Sequence, residues 1–336
     1  MVRLTTAFPF SSGHVQTLFP PFFRPMPEVL YERERLETSD GDFVDLDWSR
    51  GEESTGLVFI LHGLEGHSRR KYVLGMVRAA HLHGFDAVAM NFRGCSGEPN
   101  RKVAMYHSGW TRDLHESLLM IAARTGYSSV HLVGFSLGGN VVLKYLGEDP
   151  AVIPDIVGRA VAISVPCDLE DSARALARLQ CALYSRYLLD QLRKKIIEKS
   201  RLFPGTLDLT GVEKLRTFRQ FDDRFTAPLH GFNDALDYWR RSSSRQFLSG
   251  IDRSTCIVNA ANDPFLGPLC YPVREAEDNP SLTLLTPATG GHVGFVGSGR
   301  DGMYWSEWMT MQFLRGLQGR KVQELDVWPG LCSRKC

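Results

Sequence analysis

Residues 134–139, Gly-Phe-Ser-Leu-Gly-Gly, constrain the fold of this chain more than any other stretch, because of what flanks them. Residues 130–133, Val-His-Leu-Val, are mostly apolar and rich in β-formers, which predicts a buried strand, whereas residues 140–146 have the pattern of a helix. A G-x-S-x-G motif between a buried strand and a helix is typical of a sharp turn that exposes its serine, here Ser136. The sequence therefore predicts a nucleophile elbow at Ser136.

Small residues are needed on both sides of such a serine, because the turn brings the backbone close to itself. Gly134, Gly138 and Gly139 meet that need. The turn would raise the hydroxyl of Ser136 above the sheet and near a helix N-terminus, where developing negative charge is favoured. The alternative is a glycine-rich turn with an incidental serine, and the strand and helix on either side favour the nucleophile.

Strand and helix patterns alternate along most of the chain. Residues 39–42, Ser-Asp-Gly-Asp, separate the first two strands and predict a hairpin. The predicted strands are 31–38, 43–48, 57–61, 85–91, 129–135, 160–165, 255–259 and 282–285, and the predicted helices are 71–83, 109–124, 137–147 and about 302–317. Strands separated by amphipathic helices indicate an α/β fold with a mostly parallel central sheet, helices on both faces and an antiparallel hairpin at one edge.

The alternating pattern stops between the predicted strands 160–165 and 255–259. Residues 169–203 are rich in Leu, Ala, Arg and Lys at helical spacing, and residues 218–239 have a helical pattern broken near Pro228. The apolar side of the first of these segments is predicted to carry Tyr184, Tyr187, Leu188 and Leu192. We therefore predict a helical cap at 167–250, inserted into an α/β core made of 31–166 and 251–320, and a C-terminal tail at 321–336 with no assigned structure.

Residues 1–30 are predicted to form an N-terminal arm. Several prolines lie among its aromatic residues, which predicts that 7–30 contains no regular element. The aromatic side chains are expected to pack across the domain. Two functional alternatives are a wall for an acyl chain and a lip that touches a membrane.

The serine needs a base within hydrogen-bond reach, because its hydroxyl is a poor nucleophile at neutral pH. On an elbow fold the acid and then the histidine follow the serine in the chain. The only histidines after Ser136 are His230, inside the predicted cap, and His292, in a glycine-rich loop after the last predicted strand. A loop at the top of the sheet suits the base better than a position inside the cap, so we predict that His292 is the base. The alternative role of His292 is to form hydrogen bonds with the local backbone.

The acid is expected at the end of the penultimate strand. Asp263 lies just past the apolar strand 255–259 and is followed by Pro264, which stops further regular structure. Asp252 precedes the same strand and would point to the wrong end of the sheet. We therefore predict that Asp263 orients His292 and stabilises its imidazolium, although an Asn-Asp-Pro turn is also ordinary turn chemistry.

An ester transition state carries negative charge on oxygen, so backbone N–H donors must be aimed at it. The residue after the nucleophile, Leu137, supplies one predicted donor. The loop 62–67, His-Gly-Leu-Glu-Gly-His, follows the strand 57–61 and supplies the other, for which Leu64 is the candidate. The alternative for this loop is a plain tight turn.

Other polar residues near the predicted site are expected to serve structure. Arg93 follows a strand and more often braces loops than binds substrate, and Asp113 and His115 lie on a predicted helix. Cys95 could be a reactive thiol, but no basic partner is evident. The cations at 193–201 are expected to form a solvated face of the cap, with attraction to anionic lipid or substrate as the alternative: Arg193, Lys194, Lys195, Lys199 and Arg201.

Composition excludes several functional classes. The chain has 336 residues, is 43% hydrophobic and 23% charged, and carries a net charge of +1, which gives no sign of bulk nucleic-acid binding. Seven scattered cysteines without a C-x-x-C motif speak against a disulfide framework or a zinc site and indicate reduced thiols. We expect a cytoplasmic protein with no transmembrane segment, cofactor or metal; peripheral membrane contact is left open, as is the oligomeric state.

Taken together, these motifs resemble those of the α/β-hydrolase superfamily, and specifically of its YheT-like branch, which is related to animal α/β-hydrolase-domain lipases. The resemblance extends from about residue 10 to 320. It is carried by residues 13–18 (Gly-His-Val-Gln-Thr-Leu), 62–66 (His-Gly-Leu-Glu-Gly), 91–95 (Asn-Phe-Arg-Gly-Cys), 106–109 (Tyr-His-Ser-Gly), 134–139 and 290–295 (Gly-Gly-His-Val-Gly-Phe). The resemblance implies a Ser-Asp-His serine hydrolase that acts on carboxylic esters and has a helical cap.

The function expected from the residues is hydrolysis of carboxylic esters through an acyl-enzyme on Ser136. The aromatic arm and the cap suggest an apolar pocket for short to medium acyl chains of a small-molecule ester. An acyltransferase would use the same three side chains and pass the acyl group to an alcohol or thiol instead of water. A non-catalytic hydrolase fold used for binding is the third alternative, and it would predict a damaged triad.

Overall fold

The computed structural model describes residues 4, 6, 8–51, 54, 56–124, 126–297 and 302–317, so the predicted tail at 321–336 lies outside the described residues. Its centre is a mixed sheet whose strand order is β1-β2-β4-β3-β5-β6-β7-β8. The strands are β1 Glu32–Glu37, β2 Phe43–Ser49, β3 Leu57–Leu61, β4 Asp86–Asn91, β5 Val130–Phe135, β6 Val157–Ile163, β7 Thr255–Val258 and β8 Leu282–Leu285. Strands β1 and β2 form an antiparallel hairpin, and β2 also pairs antiparallel with β4. Strands β3 to β8 are parallel to one another. The predicted hairpin and mostly parallel sheet are confirmed.

Helices cover both faces of the sheet, as the alternating pattern predicted. They are α1 Gly13–Phe23, α2 Lys71–Leu82, α3 Arg112–Arg124, α4 Leu137–Glu148, α5 Leu169–Leu176, α6 Ala182–Leu202, α7 Phe218–Phe221, α8 Ala227–Leu229, α9 Ala235–Ser242, α10 Val273–Asp278 and α11 Trp305–Leu314. Among the described residues, no helix is both long enough and apolar enough to cross a lipid bilayer.

The sheet separates two apolar cores, because successive side chains of a strand point to opposite faces. On β3, Val58 and Ile60 pack with α2 and α11, whereas Leu57, Phe59 and Leu61 pack with α3 and α4. Strand β3 is buried along its whole length, as a strand with helices on both sides must be. The sheet therefore provides a rigid base for the loops at the carboxyl ends of its strands.

The prediction that 7–30 holds no regular element is wrong, because α1 occupies part of it. Ser12 caps the start of this helix, and Pro20 and Pro21 lie inside its second half. A proline there loses its own N–H bond, but its carbonyl can still accept: the N–H of Arg24 donates to the oxygen of Pro20 at 3.2 Å. Bonds from side chains of α1 to a distant loop, described below, also hold the helix in place.

Residues 167–250 contain helices α5 to α9 and no strand, and every residue of this segment is described. The long helix α6 packs Leu189, Leu192 and Ile196 into a small core of the cap with Phe221 and Phe225. Tyr187, which was predicted on the apolar side, is exposed instead. The helical pattern was right for this segment, but the buried side of α6 was predicted only in part.

Candidate active site

Ser136 lies at the sharp turn between β5 and α4. Its backbone has φ 52° and ψ −118°, a conformation that non-glycine residues rarely adopt and that the surrounding structure must stabilise. A Cβ atom on Gly134 would lie 2.5 Å from the oxygen of Gly138, and one on Gly138 would lie 2.5 Å from the oxygen of His62. The two glycines are therefore required by close backbone approach, as the sequence predicted.

The structure brings Ser136, His292 and Asp263 together, although they lie far apart in the sequence. The Nε2 atom of His292 is 2.9 Å from the Oγ of Ser136. The Nδ1 atom of the same ring is 2.9 Å and 3.1 Å from the two carboxylate oxygens of Asp263. These residues follow β5, β7 and β8, so all three lie at the carboxyl edge of the sheet.

The proton positions follow from this geometry, because an ionised carboxylate can only accept. Nδ1 of His292 therefore carries the proton that it donates to Asp263, and Nε2 faces the hydroxyl of Ser136 as an acceptor. The ring of Phe265 stacks on His292 at 4.1 Å between centroids, and the N–H of Phe265 donates to Asp263 at 2.9 Å. Phe265 therefore contacts the face of the imidazole, while Asp263 and Ser136 contact its two nitrogens.

The N-terminal helix α1 supports the loop that carries His292. The N–H of His292 donates to the hydroxyl of Thr17 at 2.9 Å. The side chain of Gln16 accepts from the N–H of Val296 at 2.7 Å and donates to the oxygen of the same residue at 3.2 Å. Sequence reasoning missed this role, although residues 13–18 were among the motifs of the resemblance.

The predicted oxyanion donors both lie beside Ser136. Leu137 is the first residue of α4, where backbone N–H groups lack a partner within the helix. The other loop reaches the serine from β3, since a Cβ atom on Gly63 would lie 3.3 Å from the Cβ of Ser136. Leu64 follows Gly63 directly, so both candidate donors lie next to Ser136.

His62 fixes the peptide that joins Gly63 to Leu64. The oxygen of Gly63 accepts from the N–H of Gly66 at 2.9 Å and from Nδ1 of His62 at 2.7 Å. Because a trans peptide is planar, holding this oxygen fixes the N–H of Leu64 in the opposite direction. The Nε2 of His62 accepts from the N–H of Phe92 at 3.2 Å, and burial lowers the pKa of this ring to about 3, so it stays neutral.

The rejected alternatives for the base and the acid lie elsewhere. His230 packs its ring against His107 at 4.6 Å and against Trp110 at 5.7 Å between centroids. Asp252 is largely exposed before β7 and pairs with the neighbouring Arg253. Neither is hydrogen-bonded to the serine among the residues that the structure describes, so His292 and Asp263 remain the candidates.

Two lysines of the cap contradict the prediction of a solvated cationic face. Lys199 is buried and donates to the backbone oxygens of Asn100 and Lys102, both at 2.6 Å. Lys195 donates to the carboxylate of Glu65 at 2.8 Å and lies 3.1 Å from the sulfur of Cys95. Helical spacing did not reveal that these side chains turn toward the core.

The same contact corrects the view that Cys95 has no basic partner. Lys195 lies beside the thiol, yet burial raises the pKa of Cys95 to about 11. The sulfur is therefore protonated at neutral pH, and the charge of Lys195 is balanced by Glu65. This arrangement speaks against a reactive thiolate at Cys95.

Arg93 braces loops, as predicted. Its guanidinium pairs with Asp113 at 2.6 Å, with Asp40 at 2.8 Å and with Asp42 at 3.3 Å. Asp40 and Asp42 lie in the turn between β1 and β2, and Asp113 lies on helix α3. The contacts of Arg93 are thus those of a structural side chain.

Other possible sites are distinct from Ser136. Among the described residues, no group of three or more His, Cys, Asp or Glu side chains could hold a metal ion. A cleft of about 650 Å³ borders the loop after β3 and is lined by side chains that include Arg33, Glu65, His67, Arg70 and Lys195. Since none of its lining residues belongs to the proposed triad, we assign the chemistry to the hydrogen-bonded geometry at Ser136 and not to this cleft.

The chain belongs to the alpha/beta hydrolase fold family, whose model it matches over residues 56–298. It is 39% identical to the protein YheT of Escherichia coli (strain K12) over 294 residues, which cover 86% of this chain and 85% of YheT. It is 30% identical to phospholipase ABHD3 of Mus musculus over 290 residues, which cover 84% of this chain and 70% of the relative. The predicted fold class and YheT-like branch are confirmed, and the protein is an esterase-like hydrolase.

Solved structures agree on the fold. The Pyrococcus furiosus esterase Pf2001 has a TM-score of 0.57 to this chain at 16% identity, and the match covers 86% of this chain and 91% of that structure. At this identity the likeness shows the fold alone.

Proposed function

We propose that this protein is a serine hydrolase that cleaves carboxylic esters through an acyl-enzyme on Ser136. The observation that carries the proposal is the continuous set of contacts from the Oγ of Ser136 to Nε2 of His292 and from Nδ1 of His292 to Asp263. A hydroxyl, a base and a group that orients the base are the three parts that a serine nucleophile needs. The same contacts favour catalysis over a binding protein with a damaged triad.

In the acylation half-reaction, the Oγ of Ser136 attacks the ester carbonyl while Nε2 of His292 takes its proton. The tetrahedral oxygen gains negative charge, and the N–H groups of Leu64 and Leu137 stabilise it. His292, now an imidazolium paired with Asp263, then gives its proton to the departing alcohol. The bond between the carbonyl carbon and the alkoxy oxygen breaks, and the acyl group stays on Ser136.

In the deacylation half-reaction, a water takes the place of the alcohol. Nε2 of His292 accepts a proton from this water as its oxygen attacks the acyl carbon. The same N–H donors hold the second tetrahedral oxygen. The bond between the acyl carbon and the Oγ of Ser136 then breaks as His292 returns the proton to this Oγ. The carboxylic acid leaves, and the enzyme is restored without a cofactor.

We propose an apolar acyl group of short to medium length, and its apolar character is supported by groups from both the core and the cap that border the site. Phe265 stacks on His292 and also contacts Tyr184 of α6 at 4.9 Å between ring centroids. Leu64 packs against the apolar core of the sheet and against that of the cap. The similarity to phospholipase ABHD3 of Mus musculus supports an ester substrate with an apolar acyl group.

Part of the N-terminal arm suits contact with a membrane surface better than an acyl pocket. Phe22 and Phe23 of α1 are 71% and 70% exposed, and Phe8 is more exposed still. Exposed aromatic groups of this kind are costly in water and favour an apolar or interfacial partner. We therefore propose peripheral contact with lipid for this arm, while Phe265 and Tyr184 border the substrate.

The free cysteines support a reducing compartment such as the cytoplasm. Cys167, Cys256 and Cys270 are buried, and each is a free thiol in the structure. Extracellular proteins more often pair their cysteines. We accordingly propose a cytoplasmic location.

The mechanism is tested by Ser136→Ala with a panel of p-nitrophenyl esters from acetate to palmitate. We expect turnover to fall by at least about 10⁴-fold, because the oxyanion donors alone cannot form an acyl-enzyme. Circular dichroism and thermal unfolding should match those of the parent protein, and a fluorophosphonate probe should label the parent but not the variant. Turnover that persists in a folded Ser136→Ala protein would eliminate this mechanism, and the chain-length panel decides the acyl preference.

A further inference from the structure

Glu65, the residue after the proposed donor Leu64, has an unusual backbone conformation. Its φ is 51°, in the left-handed region that favours glycine. A glutamate keeps this conformation only where neighbouring groups stabilise it. The direction of the loop immediately after Leu64 therefore depends on what holds Glu65.

Tyr106 holds Glu65 by two hydrogen bonds. Its hydroxyl oxygen accepts from the backbone N–H of Glu65 at 2.8 Å, and its O–H donates to the carboxylate of the same residue at 2.7 Å. The ring of Tyr106 is buried and stacks on Phe92 at 4.9 Å, and the N–H of Phe92 donates to His62. Both sides of Leu64 are thus held by groups that pack on one another, since His62 fixes the peptide before it and Tyr106 the residue after it.

The third group that holds Glu65 comes from the cap. Lys195, on α6, donates to the same carboxylate oxygen that Tyr106 contacts, at 2.8 Å. The side chains of Lys195 and Glu65 are only 10% and 9% exposed, and the ammonium also lies 4.9 Å from the centre of the Tyr106 ring. If Lys195 is removed, the poorly solvated carboxylate of Glu65 loses its cation. This carboxylate lies in the loop that orients the N–H of Leu64.

We propose that Lys195 is a positioning residue, through which the cap holds the N–H of Leu64 in the direction that the transition state needs. This inference rests on the proposed esterase function. If Lys195 has this role, the oxyanion site depends on both the core and the cap, because Lys195 belongs to a segment inserted between β6 and β7. Lys195 contacts neither the triad nor the substrate in this scheme and acts only through Glu65.

The test compares three lysines of helix α6. Lys195→Met should lower kcat for p-nitrophenyl butyrate by about tenfold to hundredfold, less than the loss of an entire oxyanion donor, with KM changed by less than about threefold. Lys199→Met also removes a buried cation, but one bonded to the backbone at Asn100 and Lys102, and Lys194→Met removes an exposed one. Both controls should keep the parent kcat, even if Lys199→Met unfolds at a lower temperature.

A second measurement separates positioning from general loosening of the fold. The rate at which a fluorophosphonate labels Ser136 should fall in Lys195→Met by a factor similar to that of kcat, because the phosphonyl oxygen needs the same donors. Lys195→Arg should recover part of the activity. In the double variant with Glu65→Gln, the two losses should not add, since both break one contact.

The outcomes distinguish this inference from the esterase proposal. Lys195→Met with the parent kcat, or with the same loss as Lys199→Met, would overturn the positioning role while leaving the triad intact. If Lys195→Met does not fold, Glu65→Gln provides the decision, because it removes the charge that pairs with Lys195 and keeps a side-chain oxygen for the O–H of Tyr106. The parent kcat in Glu65→Gln would overturn the positioning role. Persistent turnover by Ser136→Ala would instead overturn the esterase mechanism itself.

Discussion

The carboxylate of Asp263 determines which nitrogen of His292 carries the proton. Both of its oxygens lie within hydrogen-bond distance of Nδ1, and its side chain is fully buried. A buried carboxylate that can only accept keeps Nε2 free of a proton, which is the state a base must have.

Asp263→Asn should therefore lower kcat by about 10³-fold to 10⁴-fold while the fold survives. The amide can present an N–H to Nδ1, which moves the ring proton to Nε2 and leaves no acceptor for the hydroxyl of Ser136. Ester hydrolysis by the purified variant measures the effect, and Asp252→Asn, a change at an exposed aspartate before β7, is the control. A loss smaller than tenfold would show that Asp263 does not set the tautomer.

At this scale the sequence predicted the residues that end strands and missed those that depend on packing. Ser136, Asp263 and His292 could be placed because each follows a strand or sits in a glycine-rich turn, and the chain order then limited the choices. Lys195 could not be placed, because a charged residue on a helix looks the same whether it faces water or a buried carboxylate. Only the rotation of α6 on the core, which is set by tertiary packing, decides between the two.

Helix α1 contacts the loop that carries His292. Thr17 donates to the oxygen of Gly13 at 2.7 Å and accepts the N–H of His292. The contacts of α1 with the loop that carries His292 help to hold the helix in place despite its two prolines.

Thr17→Val should weaken both the fold and catalysis. The N–H of His292 would lose its acceptor, which should lower the free energy of unfolding by about 1 kcal/mol. A small displacement of the imidazole should also lower kcat, by less than about a hundredfold. Urea unfolding and ester kinetics measure the two effects.

Thr17→Ser is the matched control, because it retains the hydroxyl and removes only a methyl group. It should keep the parent kcat. If Thr17→Val also keeps the parent kcat, then helix α1 does not position the base, and its contacts serve stability alone.

Among the elements, strands were predicted better than helices. The continuous apolar run of β3 and the mostly apolar run of β5 favoured buried strands, because a parallel strand covered on both faces is rich in apolar residues. Helix α1 was missed because Pro20 and Pro21 were weighed as breakers, whereas bonds from Gln16 and Thr17 to the loop that carries His292 hold the helix in place. The bounds of the cap remain a prediction, since helical periodicity identifies helices but not the surface against which they close.

Across the whole molecule, buried histidines are kept neutral in the folded state. Burial lowers the pKa of His62 to about 3, of His131 and His230 to about 4, and of His107 well below its ordinary value. Three of these rings also accept a backbone N–H that a ring proton would displace: His62 from Phe92, His107 from Gly109 and His131 from Arg159. Asp222 acts in the opposite direction, because burial raises its pKa to about 7.

The protein should consequently lose stability as the pH falls from 7 to 5. An unfolded histidine binds a proton near pH 6.5 and the folded one only near pH 4 or below, so the stabilisation is complete above pH 6.5 and lost below it, at roughly 1–2 kcal/mol per ring by pH 5. Protonation of Asp222 stabilises the fold over the same range and offsets about one ring. Urea unfolding at pH 7.5, 6 and 5 measures the net effect, and His230→Phe, which keeps an aromatic ring against His107 and Trp110, should show a shallower loss. Constant or rising stability down to pH 5 would mean that these rings do not remain neutral when the protein is folded.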